Sequence, residues 1–271
     1  NLGIELVETA SLALFPEAPL RVVGADRGCS TFLLEKLSPP SSPVAGTIAF
    51  GTRRLFRLDP AADRLEPVEI TSRWIGSFSA GMPTGATPIE APFALGDDVA
   101  LGLDGSVIVI SHDRGELVLH RPPGYAPSDT VRWSAVDVPE RSASWEELFE
   151  RPFAAARERF PELRGFPAPE AFPEPSALPK SDRILVGQDG TIFVRLGQGR
   201  DRVFFFAEPD RPELPRERWI AFSPEGELVG HYLLPRAHRL VGGGPGRELF
   251  VAGTDDAGLP LAYWVPAELM F

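Results

Sequence analysis

Four histidines, His112, His120, His231 and His238, are the first residues in this chain that could do metal or acid–base chemistry. They form no His-x-His, His-Glu-x-x-His or Cys-x-x-Cys pattern, so no dedicated zinc site is expected. His112 stands in the turn-like phrase His112-Asp113-Arg114-Gly115, where a solvated side chain is the expectation, and His231 and His238 flank a strand end. The pairs Asp97-Asp98 and Asp255-Asp256 have the chemistry to bind Ca²⁺ or share a proton, but neither belongs to an Asp-x-Asp-x-Asp-Gly loop. Both read as solvated hairpin ends. The chain lacks a Gly-x-Ser-x-Gly elbow, and the run Gly242-Gly243-Gly244-Pro245-Gly246 contains a proline and opens no helix, so it is not a phosphate loop. Cys29 is the sole cysteine and reads as a small hydrophobe beside a strand. The expectation is no catalytic, cofactor-binding or metal-binding set.

Residues suited to contact rather than catalysis are easier to find. Phe204, Phe205 and Phe206 are consecutive in a charged stretch that also holds Arg202. Successive residues of a strand face opposite sides, so at least one of the three rings should leave the core-facing side. Aromatics rimmed by charge match the make-up of a protein interface. Trp145 and Phe149 lie on one face of a predicted helix, where the choice is between a buried face and a docking stripe. These six residues are the candidate protein contacts.

Composition narrows the partners. The chain has 271 residues, 43% of them hydrophobic, which suits one globular domain of 1–271. Its net charge of −11 and its lack of a dense Lys/Arg cluster argue against nucleic acid. No apolar run approaches the ~20 residues of a membrane-spanning helix. The chain starts at Asn1, as a chain does after a cleaved export signal, so the expected location is extracytoplasmic (periplasmic), peripheral to a membrane.

The elements that must carry these residues are β-strands. Val99–Ser111 and Ile184–Leu196 are two copies of one strand-turn-strand phrase, each turning on an Asp-Gly pair, with the pairs 85 residues apart. Alternating apolar residues around a tight turn mark β-hairpins whose turn needs positive φ. Four short apolar runs precede Leu37, and AGTIAF, RRLFRLD and RLEPVEI follow. A third unit continues through Glu116–Arg121 and Val131–Val138, a fourth spans Arg183–Leu234, and the last stretch holds three strands, RLVG, LFVAG and LAYWV. Residues 142–180 break the rhythm. Ser144-Trp145-Glu146-Glu147 has the form of a capping box, Pro152 should end or kink the first turn, and a proline-rich stretch follows Pro161. Removing this insertion brings the two hairpins to the spacing of adjacent repeats. The reading is all-β: a propeller of four-stranded antiparallel blades, with Ile4–Glu8 available to close the three-stranded last unit.

Ala100–Pro122, Phe172–Leu196 and Trp219–Pro235 resemble a family of uncharacterised bacterial six-bladed β-propellers, similar in architecture to NHL and TolB-type propellers. The resemblance covers about the C-terminal two thirds and implies six blades; the residues themselves trace about five units, so a five-bladed ring stays open. Phe193 stands where the family usually has Trp. The functional expectation is a non-enzymatic binding or scaffold protein, a membrane-extrinsic subunit of a larger complex such as an energy-converting or photosynthetic assembly. The alternatives are a metal-dependent lactonase or hydrolase and a ligand-sensing propeller. Asn1 is the only asparagine, which leaves the lactonase ligand set little to work with.

Overall fold

A computed structural model describes residues 20–38, 47–79, 88–91, 94–133, 145–159, 168–174, 179–197, 216–235, 238–244, 248–255 and 258–266. They form four antiparallel sheets in chain order. The first holds β1 (Arg21–Ala25), β2 (Phe32–Ser38), β3 (Ala49–Asp59), β4 (Arg64–Ser79) and β5 (Pro88–Glu90). The second holds β6 (Asp97–Leu101), β7 (Val107–Ser111), β8 (Glu116–His120) and β9 (Pro127–Arg132). The third holds β10 (Ser181–Val186), β11 (Ile192–Leu196), β12 (Arg218–Phe222) and β13 (Leu228–Leu233), and the fourth β14 (Arg239–Gly243), β15 (Glu248–Thr254) and β16 (Pro260–Pro266). In each sheet the strands lie side by side in the order of the chain.

The alternation of side chains explains why the middle strands are apolar without interruption. In β7, Val107 and Val109 pack with Leu33, Leu55, Val68 and Ile70 of the first sheet, while Ile108 and Ile110 face Ile192, Val194 and Ile220 of the third. In β12, Ile220 and Phe222 face the second sheet, and Trp219 and Ala221 face Leu240, Leu249 and Val251 of the fourth. A strand covered on both faces needs hydrophobes at every position, whereas a half-covered one alternates. The first strands also adjoin: β1 and β4 touch β6, β6 touches β10, and β10 touches β14.

Both Asp-Gly hairpins form, on neighbouring sheets, with Leu103, Asp104, Asp189 and Gly190 beside one small cavity. Only the glycines have positive φ, 80° at Gly105 and 87° at Gly190. Gly102 and Gly187 donate across each turn to Ser106 and Thr191, so the loop is a type I turn closed by a left-handed glycine, wider than two residues. At Asp59–Asp63 the same role falls to Asp63, with φ of 45°, and Asp59 Oδ1 accepts from the Ala61 and Ala62 amides.

Three boundaries differ from the sequence reading. AGTIAF and RRLFRLD join in β3, and RLEPVEI joins Trp74–Ser79 in β4, because irregularities near Gly51 and Arg53 absorb the break without ending the pairing. β9 begins at Pro127, where an edge strand tolerates the missing amide hydrogen. The insertion's helix passes through Pro152: a π-type turn at Glu146–Glu150, with Arg151 donating to Glu146, leads into α1 (Arg151–Arg159). The wider turn accommodates a residue that has no N–H to give. Ile4–Glu8 lies outside the described residues.

Candidate functional site

The repeat carries more than its hairpins. Asp97 starts β6 and Asp182 stands at the matching position of β10, 85 residues later, and both are buried. Asp97 Oδ2 accepts the Arg73 backbone amide at 2.7 Å, and Oδ1 accepts Arg73 Nη2 at 3.1 Å and Ser111 Oγ at 2.9 Å. Arg73 also grips Asp113 with both terminal nitrogens, at 2.8 and 3.1 Å. The hydrogen bond to Asp113 holds the Arg73 guanidinium above its ordinary pKa, against the effect of burial. Burial opposes ionisation of Asp113, but the hydrogen bond and charge of Arg73 outweigh it, so its carboxyl lies below the usual range. Arg73 thus ties the first sheet to the second.

His112 ties the second to the third. Its ring is 1% exposed, Nδ1 lies 2.9 Å from Ser181 Oγ, and its carbonyl accepts the Lys180 amide at 2.8 Å. Nε2 faces Asp98 Oδ2 at 3.2 Å without good hydrogen-bond alignment. Asp98, His112 and Ser181 are the residue types of an acyl-transfer triad, but Ser181 is 0% exposed and no substrate can reach its hydroxyl in this arrangement. The trio is a joint between sheets.

Glu217 makes the third connection. Arg195 donates to Asp182 from Nε at 2.6 Å and Nη2 at 2.8 Å, and to Glu217 from Nη1 at 2.8 Å. The other oxygen of Glu217 accepts Trp219 Nε1 at 3.0 Å and the Leu240 amide of the fourth sheet at 3.1 Å. A polar seam therefore crosses all four sheets beside the apolar clusters, with its buried carboxylates matched by arginines or amides.

A cavity of about 340 Å³ opens beside this seam, between β1 and β6, with Arg21, Glu35, Arg53, Trp74 and Asp98 among its walls. Glu35 and Arg53 are an inner ion pair at 2.8 Å, and Arg53 Nη1 donates to the Asp97 carbonyl at 2.5 Å. Among the described residues, no three His, Cys, Asp or Glu side chains converge as a metal centre would require.

No protein-family model matches the chain, and no curated protein does.

Of the six candidate contacts, Arg202, Phe204, Phe205 and Phe206 lie outside the described residues. Trp145 and Phe149 are 8% and 1% exposed and stack at 4.7 Å, with Phe149 5.1 Å from Phe153 and 5.0 Å from Phe172. They are the core of the helical insertion. His112 and Asp97, expected in solvent, are buried because the chain folds their turns onto the neighbouring sheet. Asp255 does cap a turn, accepting the Leu259 amide, while Cys29, expected to be buried, is exposed in a turn with φ of 51°. Sequence reasoning missed Arg53, Arg73, Ser181, Arg195 and Glu217. The equivalence of Asp97 and Asp182 was visible in the repeat; their arginine partners, 24 and 13 residues away, were not.

Proposed function

We propose that this chain is a β-propeller serving as a non-enzymatic binding or scaffold protein, a membrane-extrinsic subunit outside the cytoplasm that stabilises a larger protein complex. Sheets packed face to face in chain order, with their first strands adjoining, support a blade arrangement. No helix of the described residues is long and apolar enough to cross a membrane, in keeping with a peripheral role.

The observation that carries the functional reading is the polar seam. The acids and histidine that an enzyme would turn on a substrate are committed here to the frame: Asp97 to Arg73, His112 to Ser181 and Glu217 to the Leu240 amide join neighbouring sheets, and Asp182 and Glu217 hold Arg195 within the third. Such a frame holds loops rigidly, and recognition falls to what departs from the repeat, above all the stretch containing Arg202 and Phe204–Phe206. The test is alanine substitution of all three phenylalanines in the native host. Loss of the co-purifying partner with an unchanged melting temperature supports the reading; a partner retained at wild-type stoichiometry removes this stretch from the contact.

A further inference from the structure

Among the described residues each sheet ends on an outer strand, and outer strands need protection because their unpaired backbone groups can take up another strand. Three of the four have it. β5 is only three residues long, β9 opens on a proline and carries Asp129 and Arg132, and β13 breaks register beside Val229. β16 runs Pro260-Leu261-Ala262-Tyr263-Trp264-Val265-Pro266, with no charge and an unbroken register against β15. Its sheet has three strands where the second and third have four, and Trp264 and Leu261 are 49% and 38% exposed.

The hydrogen-bonding pattern of this edge follows from its turn. The Asp255 amide donates to the Leu259 carbonyl, so these two form a bonded pair of the β15–β16 ladder, and such pairs alternate along it. Leu261, Tyr263 and Val265 therefore turn their backbone groups to β15, whereas those of Pro260, Ala262, Trp264 and Pro266 point outward. Prolines have no N–H, which leaves two outward donors, Ala262 and Trp264.

We propose that β16 pairs antiparallel with β16 of a second copy of this chain, about a two-fold axis at Tyr263. The strand fits its own reverse. Pro260 falls opposite Pro266, Leu261 opposite Val265 and Ala262 opposite Trp264. The Ala262 and Trp264 amides of each copy then donate to the Trp264 and Ala262 carbonyls of the other, and the prolines end the ladder on both sides. The side chains match as well. On the face turned away from the third sheet, Phe250 pairs with Trp264, their rings 4.9 Å apart, and Ala252 pairs with Ala262. The two-fold sets the large pair of one copy beside the small pair of the other. Charge favours this edge too: the chain carries −11, and β16 lets two copies meet with no like charges directly opposite. Seven residues a side is few beside the about 20–30 of a standard interface, so the dimer is weak, forming at ~10–500 µM.

Sedimentation velocity of the full-length chain from ~1 to ~500 µM tests this, and the wild type should pass from monomer to dimer across that range. Ala262→Pro removes one outward donor per copy and no bond to β15. Prolines already stand at the same alternate positions, so the melting temperature should hold while dimer affinity falls at least ~10-fold. Ala262→Lys keeps the backbone donors and adds the charge by which natural edges exclude partners, and it should weaken the dimer as well. A wild type that stays monomeric at ~500 µM, as it would with Ile4–Glu8 or another strand of its own chain on this edge, overturns the proposal. So does a dimer of unchanged affinity in either variant that stays folded.

Discussion

Replacing Arg195 with methionine keeps a stem of similar length and removes one charge from the polar seam. In the wild type that guanidinium makes three charge-assisted bonds of 2.6, 2.8 and 2.8 Å to Asp182 and Glu217. The three side chains are only 11%, 5% and 14% exposed, so water cannot take over the lost contacts. Removing one partner of a buried ion pair typically costs 3–5 kcal/mol, because the remaining charge stays buried and unpaired. Here Asp182 loses its arginine, while Glu217 keeps the Trp219 and Leu240 donors, and the expected loss is about 4 kcal/mol, a fall of roughly 10 °C in melting temperature for a chain of this size. Urea unfolding and thermal circular dichroism read it directly. Adding Asp182→Asn to Arg195→Met should recover about 2 kcal/mol, since contacting residues couple by up to ~3 kcal/mol. A single-variant loss below ~1 kcal/mol, or a double variant in which the two losses simply add, would show that Arg195 does not hold the third sheet's part of the seam together.

Asp113 supplies a pH test. Its carboxyl is more acidic in the folded chain than in the unfolded one, so its stabilising effect is complete above the unfolded value of ~3.9 and fades as pH falls through the folded value. The stability gap between wild type and Asp113→Asn should be full near neutrality and close in acid; a gap constant with pH would contradict the Arg73–Asp113 pairing. The two equivalent glycines should respond differently to alanine. At Gly105 an added Cβ meets no atom within 4 Å and costs only the left-handed strain of ~1–2 kcal/mol, whereas at Gly190 it falls 2.8 Å from Pro224 Cγ and should cost more by chemical denaturation. Phe149→Ala should destabilise by ~3–5 kcal/mol, as loss of a buried aromatic does, with partner binding altered only through the insertion. A stable variant that loses its partner would instead make Phe149 a contact residue.

The fold was legible where local chemistry and global position agree. Val99–Ser111 and Ile184–Leu196 carry turn, alternation and length in one short phrase, and both form hairpins. The last three strands, bounded by glycine and proline, form where RLVG, LFVAG and LAYWV place them. β3 and β4 were harder, because a bulge leaves no mark in composition. The polar seam was illegible for a deeper reason. Whether His112 and Asp97 meet water depends on which sheet packs over their turns, and nothing within a few residues of either encodes that. Arg73 and Arg195 look like any other surface arginines until sheet packing brings aspartates to the first and strand pairing brings one to the second. Trp145 and Phe149 sat between two readings, and Phe172, more than 20 residues downstream, packs edge-on against Phe149.

The most direct test of the functional account is the mass and composition of the tagged chain gently extracted from its native cells. The account predicts a stoichiometric assembly with membrane proteins, from which the chain is released without chemistry of its own. A lone monomer with metal-dependent esterase activity would contradict it.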